Sequence, residues 1–455
     1  MPSTIAIAKN YFCFKLPLSD SSFSLSSVPF PWLTHTPNTT TANILPGTDT
    51  DTDKDAISIS EESPLLPHRP QPQEPQNKPQ SLKEKYGTCT TILHYGTSSS
   101  IRLYTTNTNT PKKEKRKKKE AYVLKTLRPT PSSTKRTLQS TLESILSSTL
   151  HHPHLLQTID ILPNSRGETC LVSEYCELGD LGTYICSKAW EDMLIMRERG
   201  KDAVMIADRI FYQIMSALEF LHEMGIVHGG VCVENVFLSW DCPSEDGSGN
   251  TGNGICVKLG DLGDARVFDS REFHGLLGHV GEDGGGGGGG YYAAWKEDVY
   301  PLVRGLSMGI RKFEELEGMQ GRRMMRNPYL APEILSPCSL RSSSIYCRQQ
   351  RYTCSSGEKG RGDPGAVDIW AAGIIYLVLR LGRILWRSAS EDEDGRYAEY
   401  LAGRKRREGY SAIEGLGEAQ CKNVVYAMLN PDANRRIKAS EVMRSEWMYN
   451  LDLHQ

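Results

Sequence analysis

Between His228 and Gly263 the chain gathers polar side chains at spacings that could do chemistry. It reads H-G-G-V-C-V-E-N from His228 to Asn235, then two short apolar runs, Val236 to Leu238 and Ile255 to Leu259, then Gly260-Asp261-Leu262-Gly263. The runs have the length of buried strands, so Asn235 closes a loop before one strand and Asp261 follows the end of another. Two positions of the loop are chemically silent: Gly230 has no proton acceptor, and Cys232 carries no positive charge at neutral pH. Upstream, Lys125 lies in A-Y-V-L-K-T-L, Ala121 to Leu127, which reads as a strand. Glu143 lies on an amphipathic helix predicted over Leu138 to Leu150, where Leu138, Leu142, Ile145, Leu146 and Leu150 recur at helical spacing. Alone, a strand lysine and a helix glutamate are ordinary exposed charges.

Taken in order, these motifs resemble the eukaryotic protein kinases of the Ser/Thr type, whose catalytic loop is H-R-D-L-K-x-x-N and whose metal loop is D-F-G. In that family the loop Asp accepts the substrate hydroxyl proton, the Lys steadies the transferring phosphate, and Asn and the D-F-G Asp hold Mg2+. By this resemblance Asn235 and Asp261 are metal ligands, while Gly229, Gly230 and Cys232 stand where Arg, Asp and Lys would be. Asn327 is a further departure, in the place of the Thr that bonds the catalytic Asp and Lys. No catalytic residue set is therefore intact. Lys125 sits at the place of Lys in V-A-I-K, where it would reach nucleotide phosphates, and Glu143 at that of the helix glutamate that pairs with it. Against G-x-G-x-x-G-x-V only Gly96 matches a glycine, with His94 and Ser99 in the other two places; an ordinary hairpin would look the same. Cys170 to Cys176 resembles the strand and hinge between lobes. Ser173 would be a small gatekeeper, Glu174 and Cys176 would offer backbone groups to adenine, and Asp180 would lie at the pocket mouth. The implied cofactors are ATP and Mg2+, bound weakly because the loop has lost two close-approach glycines.

The elements that must position these residues are legible around them. Thr90 to Leu93 and Ile101 to Tyr104 read as strands joined by a small-residue turn. H-H-P-H-L-L, His151 to Leu156, turns from the Glu143 helix into the next strand; its clustered histidines lack a carboxylate or Cys partner and read as structural. Ile206, Ile210, Ile214, Leu218 and Leu221 mark a long buried helix that leads into the His228 loop. Asn327 to Glu333 matches the A-P-E element, and Asp368-Ile369-Trp370-Ala371-Ala372-Gly373 is similar to D-x-W-x-x-G, whose Asp ties down the catalytic-loop backbone. Arg436 is expected to form a buried structural pair with Glu333. The C-terminal runs W-R-S-A, D-G-R-Y-A-E-Y-L and S-E-W-M look most like the fungal halotolerance-type kinases, which regulate nutrient and ion transporters.

The implied fold class is α+β, a two-lobed kinase-like fold: a β-rich N-lobe and hinge over 86–176 and a mainly helical C-lobe over 177–450. The Ser/Thr/Pro-rich stretch 1–80 shows no sustained period and is expected to be disordered. Polar insertions are expected near 241–254, 270–325 and 336–362. The span from Asp261 to Glu333 is 73 residues (333 − 261 + 1) and contains seven consecutive glycines, Gly284 to Gly290, so it is too long and glycine-rich to be a compact ordered loop throughout.

Composition bounds the remaining choices. At 455 residues the chain has room for one two-lobed domain of roughly 250 to 300 residues plus extensions. A formal charge of −2 implies no bulk electrostatic partner and no specific nucleic acid. The run P-K-K-E-K-R-K-K-K-E, Pro111 to Glu120, reads as a solvated loop, with a nuclear-import patch as its other meaning. Twelve cysteines without C-x-x-C pairs read as reduced thiols of an intracellular, cytoplasmic protein, the basic run leaving the nucleus as a second location. Ile369 to Leu379 is about half the roughly 20 residues a membrane span needs. Three functions compete: a pseudokinase that binds ATP and Mg2+ weakly and scaffolds protein partners in signalling, an active kinase among them; a weakly active Ser/Thr kinase; and a nucleotide-dependent switch. The linked departures at Gly230, Cys232 and Asn327 favour the first.

Overall fold

In the computed structural model the described residues are 82–96, 99–106, 120–128, 133–187, 190, 200–240, 254–268, 289–317, 327–335 and 363–452. The stretch 1–80, the basic run up to Lys119, residues 241–253 of the insertion expected over 241–254, and the insertion 336–362 lie outside them. A short helix α1 (Leu82–Tyr86) leads into β1 (Thr88–Tyr95), β2 (Ser99–Thr105) and β3 (Ala121–Leu127). Helix α2 (Thr134–Thr149) follows, then β4 (Thr158–Pro163) and β5 (Thr169–Glu174). These strands form one antiparallel sheet in the order β1-β2-β3-β5-β4. Strand β3 is therefore central, with Lys125 opposite Ile101 on one side and Leu171 on the other.

Helix α2 forms despite a sequence, T-K-R-T-L-Q-S-T-L-E-S-I-L-S-S-T, rich in residues with modest helix propensity. Ser133 caps it, accepting from the Arg136 N–H, and Thr141, Ser144, Ser148 and Thr149 donate back to carbonyls one turn earlier. Those bonds satisfy the hydroxyls locally and let Ser148 and Thr149 be buried beside Leu142, Ile145 and Leu146.

The helical part begins with β6 (Gly179–Asp180), α3 (Leu181–Ile185) and the long α4 (Gly200–Glu223). The small pairs β7 (Ile226–Val227) with β10 (Arg266–Val267), and β8 (Val236–Ser239) with β9 (Cys256–Leu259), frame the His228 loop. Next come α5 (Gly289–Asp298), α6 (Tyr300–Glu317), α7 (Pro332–Leu335), α8 (Ala366–Leu381), α9 (Gly395–Lys405), α10 (Ser411–Glu414), α11 (Ala419–Met428), α12 (Ala439–Met443) and α13 (Glu446–Asp452). Helix α8 contains the apolar run Ile369 to Leu379, buried against α4 and α11; each such Leu or Ile stabilises the fold by about 1.5–3 kcal/mol. Among the described residues no helix is long and apolar enough to cross a membrane.

The expected Glu333–Arg436 pair is present and bidentate, at 2.7 and 2.9 Å. Arg436 also donates to the carbonyls of Ala366 and Asn430 and lies over the Trp370 ring, so its charge is fully engaged. In the span treated above as an insertion over 270–325, the structure departs from expectation. Helices α5 and α6 fill much of its second half, and Trp295, Val299, Val303, Leu306 and Ile310 are buried in the main core. They follow one another at helical intervals, an apolar stripe that the adjacent glycines obscured.

Candidate nucleotide site

The sheet and helix α2 bring three charged side chains together. Lys125 Nζ lies 2.7 Å from Glu143 Oε1 and 2.8 Å from Asp261 Oδ1. Glu143 is 8% exposed at its side chain and Asp261 42%, so the group runs from the buried helix face to open cleft. Burial alone would lower the Lys125 pKa, but the two carboxylates outweigh it and hold the ammonium above its usual range. Burial would raise the Asp261 pKa, but the Lys125 charge, that lysine's hydrogen bond and the Gly263 N–H leave it below the usual carboxylate range. Asp261 adopts φ 64°, and among the described residues no other non-glycine residue has positive φ. Such a conformation costs of order 1–3 kcal/mol and persists only where surroundings impose it. Here the Gly263 N–H donates to Asp261 Oδ1 and the following turn, Leu262 to Asp264, fixes the direction.

The His228 loop is suspended from α8. Asp368, buried, accepts from the backbone N–H of His228 at 2.8 Å and of Gly229 at 2.9 Å. It also bonds His222 at 3.0 Å. Burial would lower the His222 pKa, but the hydrogen bond and charge of Asp368 prevail and raise it. His228 Nδ1 accepts from the Gly230 N–H and Nε2 lies 3.1 Å from the Gly260 carbonyl, so the ring joins the two loops. Asn235 donates through Nδ2 to the Gly230 carbonyl at 2.8 Å, which fixes the plane of its carboxamide.

The departures from the family pattern have distinct local accounts. A Cβ built on Gly230 would lie 3.5 Å from Asp264 Oδ2 and 3.7 Å from Asn235 Nδ2, ordinary contact distances, so the position would admit a side chain. Asp264, three residues after Asp261, thus brings an exposed carboxylate next to the place where the loop has none. Sequence reasoning missed it, because its direction depends on the tight turn at Leu262. Gly229 has φ 75°, where any larger residue would be strained. The Cys232 thiol is pushed up to about 12 by burial and then by Glu234, so it stays neutral. Asn327 accepts the Tyr329 N–H at 2.9 Å and serves its own turn.

A cavity of about 620 Å³ opens between the sheet and the helical part. Val123, Leu171 and Phe237 give it apolar walls; Lys125, Glu143, Asn235 and Asp261 line its polar end; Glu174 and Cys176 line the edge where β5 leaves the sheet. That size and that mixture suit a small organic ligand with one polar end, where one ammonium and two carboxylates leave a net negative charge for a bound cation to offset. The cysteine thiol at 176 is itself pushed up to about 12, by burial first, and stays neutral. Gly96 closes the β1–β2 turn, its N–H donating to the Ser99 carbonyl and its own carbonyl accepting from Arg128. Leu93 and His94, rather than Gly96, line the cavity from this hairpin. Asp180 lines the cavity while capping α3 through the Thr183 N–H.

Comparison with known proteins places this geometry. The profile described as protein kinase domain matches residues 108–280. The Ser/Thr-protein kinase HAL4/SAT4 of Saccharomyces cerevisiae is 30% identical over 370 residues, covering 81% of this chain and 47% of the relative. The Ser/Thr-protein kinase hal4 of Schizosaccharomyces pombe is 28% identical over 375 residues, covering 82% and 45%. A third, HAL5 of Candida glabrata, is 22% identical over 303 residues, covering 65% and 27%. The chain spans about half the length of the first two relatives.

Proposed function

Because this chain belongs to the protein kinase family, with fungal Ser/Thr kinases of the halotolerance type as relatives, we propose that it is a pseudokinase, a module that holds ATP and Mg2+ weakly and works through protein partners. The observation that carries this reading is the contrast within one cleft. Lys125, Glu143 and Asp261 meet within hydrogen-bonding distance, whereas position 230 has no side chain and position 232 has a neutral thiol. Lys125 would bind nucleotide phosphates, Glu143 would orient Lys125, Asp261 and Asn235 would hold the metal, and the backbone at Glu174 and Cys176 would face the base. Bound ATP would supply a transferable phosphoryl group; the chain's own residues would fix its position and supply no base from the usual place. Loss of a positioned base costs a factor of about 10²–10⁴ in rate. The partners this implies are proteins of a signalling pathway, an active kinase among them.

Asp264 favours a second reading, residual transfer to protein hydroxyls. Its carboxylate lies close enough to the vacant position to accept a proton from a hydroxyl group bound there. Two measurements on the purified chain separate the readings. In a thermal-shift titration ATP should stabilise the wild type only with Mg2+, by about 1.4 kcal/mol at roughly tenfold excess over Kd, and Asp261→Asn should abolish the effect. In a phosphotransfer assay with Mg2+ or Mn2+, wild type and Asp261→Asn should be indistinguishable. Transfer that disappears in both Asp261→Asn and Asp264→Asn would replace the pseudokinase with a weak kinase.

A further inference from the structure

Helix α2 carries Glu143, so whatever sets the position of that helix sets whether Glu143 reaches Lys125. One face of α2 packs on the sheet, and α6, from the segment between Asp261 and Glu333, packs along another. The approach is close: a Cβ added at Gly309 would lie 3.2 Å from Leu138 Cδ1. Val303 and Ile310 are fully buried in the same cluster as Leu142 and Ile145.

Polar contacts secure both ends of α2 and the strand that follows the metal loop. At the start of α2, Lys135 Nζ lies 3.7 Å from Glu314 Oε1 of α6. At its end, Trp295 of α5, fully buried, donates its indole N–H to Thr149 Oγ1 at 3.0 Å. The same Glu314 carboxylate accepts from Arg266 at 2.6 Å, two residues beyond Asp264 in β10. Ser307 Oγ accepts the Val267 N–H, Arg311 donates to the Val267 carbonyl, and the Tyr300 hydroxyl donates to the Phe268 carbonyl. The helix pair therefore grips α2 and the chain just after Asp261 at once, the two elements whose relative position brings Glu143, Lys125 and Asp261 together.

We propose that α5 and α6 are a built-in brace that holds α2 in its nucleotide-competent position, with Glu314 and Trp295 as positioning residues. A carboxylate bridging Lys135 and Arg266 is permanent. It needs no modifying enzyme, in keeping with Gly229, which offers no guanidinium to a loop phosphate.

The inference rests on the nucleotide-site reading for its affinity consequence but not for its structural one, so the 455-residue chain is tested both ways. Glu314→Gln keeps shape and removes charge; Thr149→Val removes the acceptor for Trp295. Both should speed amide hydrogen exchange in 134–149 by about tenfold while leaving 366–381 unchanged, and lower Mg·ATP affinity about tenfold, within the usual range of site-to-site coupling. Glu314→Asp, which retains the charge, should recover most of both effects, and phosphatase treatment of the wild type should change neither. Exchange in 134–149 that stays within about twofold of wild type in both variants overturns the brace, whatever happens to affinity. A wild type that binds no nucleotide, with variants that still loosen 134–149, overturns the nucleotide-site reading and leaves the brace standing.

Discussion

The two halves of the cleft differ in what their side chains do besides chemistry. Lys125 stands on the central strand and neutralises Glu143, a carboxylate buried at the interface of sheet, α2 and the Asp261 loop. Removing it would orphan a buried charge. The side chains at 230, 232 and 327 join no such parts: glycine has none, the Cys232 thiol is neutral, and Asn327 accepts within its own turn. The half that persists is thus the half whose side chains also join the two parts of the fold, whereas the side chains at 230, 232 and 327 carry no such join.

That difference can be broken first through the fold. Arg436, at 0% side-chain exposure, holds Glu333 of α7 against the start of α8. Arg436→Met should cost about 3–5 kcal/mol in urea unfolding, because it leaves Glu333 charged, buried and unpaired. A loss under about 1 kcal/mol would mean that the surrounding groups, not the pair, hold α7 there.

A smaller effect distinguishes the halves directly. Lys125→Met should weaken Mg·ATP binding by more than about tenfold, or roughly 1.4 kcal/mol, whereas Cys232→Ser should leave it within about twofold. Isothermal titration of the two variants beside wild type reads both. Equal losses would erase the division between a retained and a vacated half.

Much of this arrangement was legible in the sequence, for reasons that show where legibility ends. The pairings of Asp368 with the His228 loop and Glu333 with Arg436 join residues far apart in the chain, and that of Lys125 with Glu143 joins consecutive elements, but each partner sits in its own motif, and motif order sets the topology. The strands and helices around them followed from apolar period, with ends displaced by a few residues, as when β1 runs from Thr88 to Tyr95 rather than Thr90 to Leu93. Helices α5 and α6 were not anticipated, because α5 starts inside the run of seven glycines and the apolar stripe follows only from Trp295. Asp264 could not have been found by spacing alone. Its importance lies in the direction a single tight turn gives its side chain, and that direction depends on the left-handed backbone at Asp261.

Asp264 also governs the subtlest test of the comparison, the attempt to refill the vacated half. Glycine at 230 leaves room for a side chain, so Gly230→Asp should fold. Its new carboxylate would, however, meet the Asp264 carboxylate across a gap that already brings Asp264 Oδ2 to 3.5 Å from the position of Cβ. Two carboxylates that close do not both ionise readily: one pKa rises, and the shared proton occupies the lone pair a base would need. Gly230→Asp alone should therefore change phosphotransfer by less than about twofold, less than the factor of about 10²–10⁴ a working base supplies. Adding Cys232→Lys and Asn327→Thr provides groups to orient the new aspartate, and Asp264→Asn removes its competitor; the quadruple variant should gain more than the product of the single effects, because positioning acts as a unit. If Gly230→Asp by itself raises transfer about a hundredfold, the neighbouring carboxylate does not interfere and the cleft was one residue short of activity. If instead the wild type already transfers phosphate and Asp264→Asn alone removes that activity, the base was never lost but had moved three residues beyond the metal aspartate.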